Sequence, residues 1–211
     1  MRAAPGALAA LSLALAGCLP PATPGAATPP PVEQRADTMA LIPAGFGTLR
    51  QDDIALQVQR FGLQVRAIPL DESVIRVLSP DSYRALRELV RSQSTRLEEV
   101  RRRTAYPTLS TWYVSFFGVE IGEARFSPME VIVTNVGRDF RPVEVIPLSP
   151  GFGQQRVRQR EVQHALYVFD GALDVNQPIV LAYETARSSS WSSVLERIER
   201  ERALVRSRAR R

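Results

Sequence analysis

Few side chains in this sequence could do covalent or acid-base chemistry, and their spacing limits what that chemistry can be. The chain has one histidine, His164, and one cysteine, Cys18. A histidine base needs a nucleophile beside it and an acid to orient its ring. No G-x-S-x-G, Ser/Lys motif or second thiol accompanies His164, which alternates with Leu166 and Val168 as a strand residue does. That context reads it as a structural side chain. Zinc needs His or Cys ligands paired at fixed spacing, and none are paired here, so neither a metal nor a cofactor is expected.

Carboxylates are the remaining reactive groups. Glu120 and Glu123, or Glu130 and Glu144, could pair across strands as the acid and nucleophile of a glycosidase. This is the alternative functional class, a carboxylate-dependent hydrolase acting on cell-wall or surface glycans. It requires a cleft lined by two close acids with displaced pKa values. Asp170, Asp174 and Asn176 could gather oxygens around calcium, but the alternate-residue acids and closing Glu of a calcium loop are missing. A capped turn accounts for them.

Two loops resemble each other. Gly45-Phe46-Gly47 and Gly151-Phe152-Gly153 each follow a proline, Pro43 or Pro150, and each precedes an arginine, Arg50 or Arg156. Neither is a phosphate loop, because no Gly-Lys-Ser/Thr follows. Either the two Phe side chains plug the end of a core, or Phe46, Phe152, Arg50 and Arg156 form one apolar, Arg-lined partner surface. The plug is the expected role. At the C-terminus, Arg206, Arg208, Arg210 and Arg211 form the clearest charge cluster, a solvated tail or a contact for polyanions.

The N-terminus says where such contacts would be made. Met1-Arg2 is a short basic start, Ala7 to Ala16 is an apolar run, and Leu15-Ala16-Gly17-Cys18 follows. About ten apolar residues are too few to span a bilayer, so the segment reads as a leader. Leu15-Ala16-Gly17-Cys18 resembles the lipobox of bacterial lipoproteins. The resemblance covers the first 18 residues, and it implies cleavage before Cys18, acylation of its sulfur and new amino end, and retention on an envelope membrane. Leu19 stands where many such proteins carry an Asp for inner-membrane retention, which favours the outer membrane facing the periplasm. The polyanions available there are lipid head groups, lipopolysaccharide phosphates and acidic wall polymers, not nucleic acid.

Cleavage would remove Arg2 and no acid, lowering the formal charge from +5 to +4. With Cys18 blocked, no disulfide can form, and the fold must rest on burial. All 27 basic residues are Arg; a codon bias explains this more simply than a need for bidentate recognition. Residues 18–40, rich in Pro, Ala and Thr, lack the large apolar side chains of a core and read as a tether.

The elements that must position the candidate residues follow from periodicity. Ile54, Leu56 and Val58, then Leu63, Val65 and Ala67, alternate on either side of Arg60-Phe61-Gly62 and predict a hairpin. Ser73 to Leu78 is expected as a third strand. Ser79-Pro80-Asp81 starts an amphipathic helix running to about Arg103. Trp112, Val114 and Phe116 share a strand face. Met129 to Thr134 and Arg141 to Leu148 are expected as a hairpin around the loop Asn135 to Asp139, with Pro142 and Pro147 marking an edge strand. His164 to Phe169 and Pro178 to Glu184 are the last strands, and Trp191, Val194, Leu195, Ile198 and Val205 stripe a final helix.

The resulting expectation is a mainly β chain: an immunoglobulin-like β-sandwich with one inserted amphipathic helix and a C-terminal helix. The divisions are a signal peptide (1–17), the lipidated Cys and Pro-rich tether (18–40), the sandwich domain (41–187, helix 80–103) and a basic C-terminal helix (188–211). The function expected is a non-catalytic envelope lipoprotein, a membrane-tethered binding or structural module. Its expected contacts are the membrane, through the lipid, and an envelope protein or anionic polymer, with the oligomeric state left open.

Overall fold

The computed structural model describes residues 42–209. In chain order the first strands are β1 (Leu56–Arg60), β2 (Leu63–Pro69), β3 (Leu109–Gly118), β4 (Glu123–Arg125), β5 (Val131–Asn135) and β6 (Arg138–Phe140). They are followed by β7 (Glu144–Pro147), β8 (Arg156–Arg158), β9 (Val162–Asp170), β10 (Ile179–Tyr183) and β11 (Ala186–Ser188). The helices are α1 (Glu72–Ile75), α2 (Pro80–Ser92), α3 (Ser94–Arg103) and α4 (Trp191–Ala209). The fold is mainly β. Its antiparallel sheets run β1-β2-β3-β9-β7, β11-β10-β5-β6 and β4-β8.

The alternation around Arg60-Phe61-Gly62 does make a hairpin, with Leu56 opposite Ala67 and Arg60 opposite Leu63. Phe61 and Gly62 have φ of 43° and 70°, the left-handed pair that a two-residue type I′ loop requires. Ile54 lies outside the strand, fully buried at the end of the 3-10 turn Gln51–Ile54.

Three expected elements differ. Ser73 to Leu78 is not a strand but begins as the helical turn α1. Asp71 caps it, its Oδ1 accepting from the Ser73 N–H at 2.7 Å, and Val74, Ile75, Val77 and Leu78 are all buried. Side chains of adjacent residues can point the same way off a helical turn but not off a strand. The helix expected over 80–103 is broken at Gln93, where Ser92 turns its hydroxyl back onto the Leu89 carbonyl. The loop expected over Asn135 to Asp139 is a two-residue turn, Val136-Gly137, with φ of 50° and 72°. Thr134 and Asp139 face each other across it with a 2.6 Å hydrogen bond, so β5 pairs with β6. After Pro142 the chain leaves that sheet, and β7 forms the edge of the other, beside β9.

The five-stranded sheet buries one face along its length and the other only in part, since Gln57 and Gln59 of β1 are exposed there. On the first, Trp112 stands opposite Tyr167, Val114 opposite Ala165 and Val65 opposite Phe116. This face meets the inner residues of the four-stranded sheet: the Phe116 and Tyr183 rings lie 5.8 Å apart, and the Tyr167 hydroxyl donates to the Pro128 carbonyl at 3.0 Å. At one end Trp191 of α4 packs against Trp112 at 6.4 Å and donates its indole N–H to the Val175 carbonyl. On the other face, α2 brings Leu86 and Leu89 close to Tyr113, and α3 brings Leu97 close to Leu109.

Candidate functional site

Cys18, Arg210 and Arg211 lie outside the described residues. The two Gly-Phe-Gly loops have separate surroundings. Phe152 is only 3% exposed, with its ring 5.2 Å from Phe126 and 6.0 Å from Phe116, so it fills the core and offers no surface. Phe46 is 62% exposed, and its carbonyl accepts a hydrogen bond from Arg208 Nη1 at 3.2 Å. The same Nη1 reaches Glu201 Oε1 at 3.1 Å, which ties Arg208 into the fold. Arg206 is half-buried on α4. Arg50 is exposed, and its backbone N–H is held by Asp53 at 2.8 Å. Arg156 pairs with Glu123 at 3.4 Å.

His164 sits on β9 opposite Ser115, and Arg66 of β2 stands opposite Ser115 in turn. The three form one row across the sheet. His164 lines a cavity of about 390 Å³ with Tyr113, Leu86, Leu89, Leu148, Ala85 and Gln51. Its Nδ1 is buried without a hydrogen-bond partner among the described residues, and burial lowers the ring's pKa. The carboxylates are engaged elsewhere: Glu144 with Arg103 at 2.5 Å and Asp170 with Arg138 at 3.1 Å. Asp174 Oδ1 accepts from the Asn176 N–H at 2.9 Å, and Asp170 Oδ1 from the Ala172 N–H at 2.9 Å, so both cap their own turns. Among the described residues no cluster of three His, Cys, Asp or Glu could hold a metal ion.

The sequence reading missed a polar cavity of about 280 Å³ beneath the second Gly-Phe-Gly loop. Gly151, Glu123, Arg156, Arg158, Glu161 and Gln163 line it. β8 pairs with β4 and so sets Arg158 opposite Glu123. Glu161 accepts from the Arg158 backbone N–H at 2.9 Å and from Gln163 Nε2 at 2.6 Å. Those two bonds, the backbone one foremost, hold its carboxyl below the usual range. Arg156 and Arg158 show in the sequence as alternate-residue arginines around Val157, and Glu161 lies three positions further on. Gln163 does not show, because it lies on the inward face with Phe116, which it opposes across the sheet.

A second feature is a fixed apolar tip. The Val119 and Glu120 N–H groups both donate to the Gly62 carbonyl, clamping the β1–β2 turn to the chain after β3. Phe61, Val119 and Ile121 are exposed there, with the Arg60 guanidinium 3.4 Å above the Phe61 ring. No protein-family model, curated protein or solved structure matches this chain.

Proposed function

We propose that the chain is a non-catalytic envelope lipoprotein, held to a membrane through acylated Cys18, whose mainly β domain binds another envelope component. The observation that carries this reading is the leader: Met1-Arg2, the apolar run Ala7 to Ala16, and Leu15-Ala16-Gly17-Cys18. The Pro-rich composition of residues 19–38 suits a spacer between the anchor and the domain. Leu19 favours the outer membrane, facing the periplasm.

The geometry supports binding over glycan hydrolysis. Glu144 and Glu123, one from each candidate acid pair, are both engaged by arginines. As part of the same proposal, the two larger sheets are read as the layers of a sandwich, supported by the core that Phe116 and Tyr183 share.

Metabolic labelling with palmitate tests the anchor. The wild-type chain should take up label and fractionate with membranes, and Cys18→Ser should do neither. An unlabelled wild-type chain, with its leader uncut or cut elsewhere, would overturn the proposal.

A further inference from the structure

The helices α2 and α3 leave an apolar floor open beside the five-stranded sheet. The chain breaks between them at Gln93, and the gap they form with the start of β3 is a cavity of about 590 Å³. That is larger than either cavity described above and lies inside the range of about 300–1,000 Å³ usual for small-molecule sites. Val90 of α2, Leu97 of α3, Pro107 and Leu109 line it. Val90, Leu97 and Leu109 pack against the core on one side, yet each stays only half-buried. Apolar surface left to water in a concave site is surface that an alkyl chain would cover.

Charge at the rim is unbalanced. Arg87, Arg91 and Arg101 line the cavity with a single acid, Glu98. The carboxylates that engage these arginines are shared. Glu72 serves both Arg76 and Arg87, Glu98 serves both Arg101 and Arg102, and Glu88 serves Arg91 alone, so five cations meet three anions. The other charges of the two helices balance: Asp81 with Arg84, Glu99 against Arg96, and Arg103 with Glu144 of β7. The positive excess therefore sits beside the apolar floor, and a guanidinium presents paired N–H donors that suit a carboxylate or a phosphate. A neutral or cationic chain would gain from the floor alone. An anionic one gains from floor and rim together.

We propose that this cavity binds a single-chain anionic amphiphile, its alkyl chain along Val90, Leu97 and Leu109 and its carboxylate or phosphate head at the arginine rim. Free fatty acids and anionic lysophospholipids share that chemistry. The site goes beyond the anchoring reading and does not depend on it, so the palmitate experiment and this one can fail separately.

The test is a calorimetric titration of the full chain carrying Cys18→Ser, which keeps any acyl group of its own out of the measurement. The probes are dodecanoate, dodecyl phosphate and dodecyltrimethylammonium, each below the concentration at which it forms micelles. One equivalent of dodecanoate or dodecyl phosphate should bind, the tighter of the two naming the head group, and the ammonium should bind at least about tenfold more weakly. Ser94→Trp, which fills the cavity, and the pair Arg91→Gln with Arg101→Gln should each weaken the anion by a similar factor. All three positions are exposed, so these variants keep the fold. Phe61→Ser, on the apolar tip, should leave binding unchanged. Equal binding of the ammonium, binding unaffected by the arginine pair, or a loss no larger for Ser94→Trp than for Phe61→Ser would overturn the proposal. So would the absence of binding by either anion, which would leave the floor to a protein partner.

Discussion

Thr48 presents both its backbone N–H, at 2.9 Å, and its hydroxyl, at 3.1 Å, to one carboxylate oxygen of Glu201, 153 positions further along the chain. Arg208 reaches the same oxygen from the next turns of α4. The C-terminal helix is thereby fastened to the segment that leads into the first hairpin. Glu201 is buried, and its removal strands the Thr48 N–H and leaves Arg208 with the Phe46 carbonyl alone. Glu201→Ala should therefore cost about 1–2 kcal/mol, mostly the lost hydrogen bonds from Thr48 to a charged acceptor, because Arg208 is exposed enough for water to replace the carboxylate. In urea unfolding the midpoint should fall with the slope unchanged.

The two loop phenylalanines give a sharper contrast. Phe152 is buried among Phe116 and Phe126, so Phe152→Ser removes a ring from a packed cluster and leaves a hydroxyl there. The expected loss is about 3–5 kcal/mol, enough to unfold many domains of this size. Phe46 is exposed, and what it gives to the fold is its carbonyl, which any residue supplies. Phe46→Ser should change stability by no more than about 0.5 kcal/mol. Thermal melts of the two single variants would check this, and equal losses would show that Phe46 also packs.

Much of this architecture can be read from side-chain periodicity. Leu56, Val58, Val65 and Ala67 show the first hairpin because one face is wet and the other buried, and Ser79-Pro80 shows a helix start through its backbone chemistry. The features that escape are those decided by partners distant in sequence. Glu72 to Ile75 form a helical turn, and the buried side chains Val74, Ile75, Val77 and Leu78 fall at adjacent positions, which removes the period-two signal. Glu201 and Arg202 look like the wet face of α4, yet they are buried against Thr48 and the Ser73 carbonyl, to which Arg202 Nη2 donates. The polar cavity escapes for the same reason, since Gln163 meets Gly151 only once β9 and the loop after β7 are in place.

Backbone strain at the hairpin tips yields a stabilising substitution. Val136 has φ of 50° in the first position of its turn, where a β-branched side chain is disfavoured and Asn is preferred. It is exposed, so no packing offsets the cost. Val136→Asn should raise stability by about 1 kcal/mol, a melting-temperature gain of roughly 2–4 °C at this chain length. Phe61→Asn should gain less. It relieves a similar strain but removes the Arg60 contact over the ring, about 0.5–1 kcal/mol at an exposed site.

Acid should weaken the fold in two separable steps. Burial lowers the pKa of His164 below its ordinary value of 6.5, so between the two values the unfolded chain binds a proton that the native chain does not. Stability is then complete, as far as this group goes, above about pH 6.5. It declines as the pH falls through that value and levels off once the folded ring also protonates. Glu98 acts lower down. The Arg101 hydrogen bond, aided by Arg102, holds its carboxyl at about 2 against an ordinary 4.5, so its contribution is present above 4.5 and lost as the pH falls toward 2. Urea midpoints measured from neutral to strongly acid pH should show both declines. His164→Gln should flatten the upper one alone, and Glu98→Gln should reduce only the lower. A wild-type midpoint that rises as the pH falls through 6.5 would mean that the fold stabilises the charged imidazole, the opposite of what its buried, unpartnered Nδ1 implies.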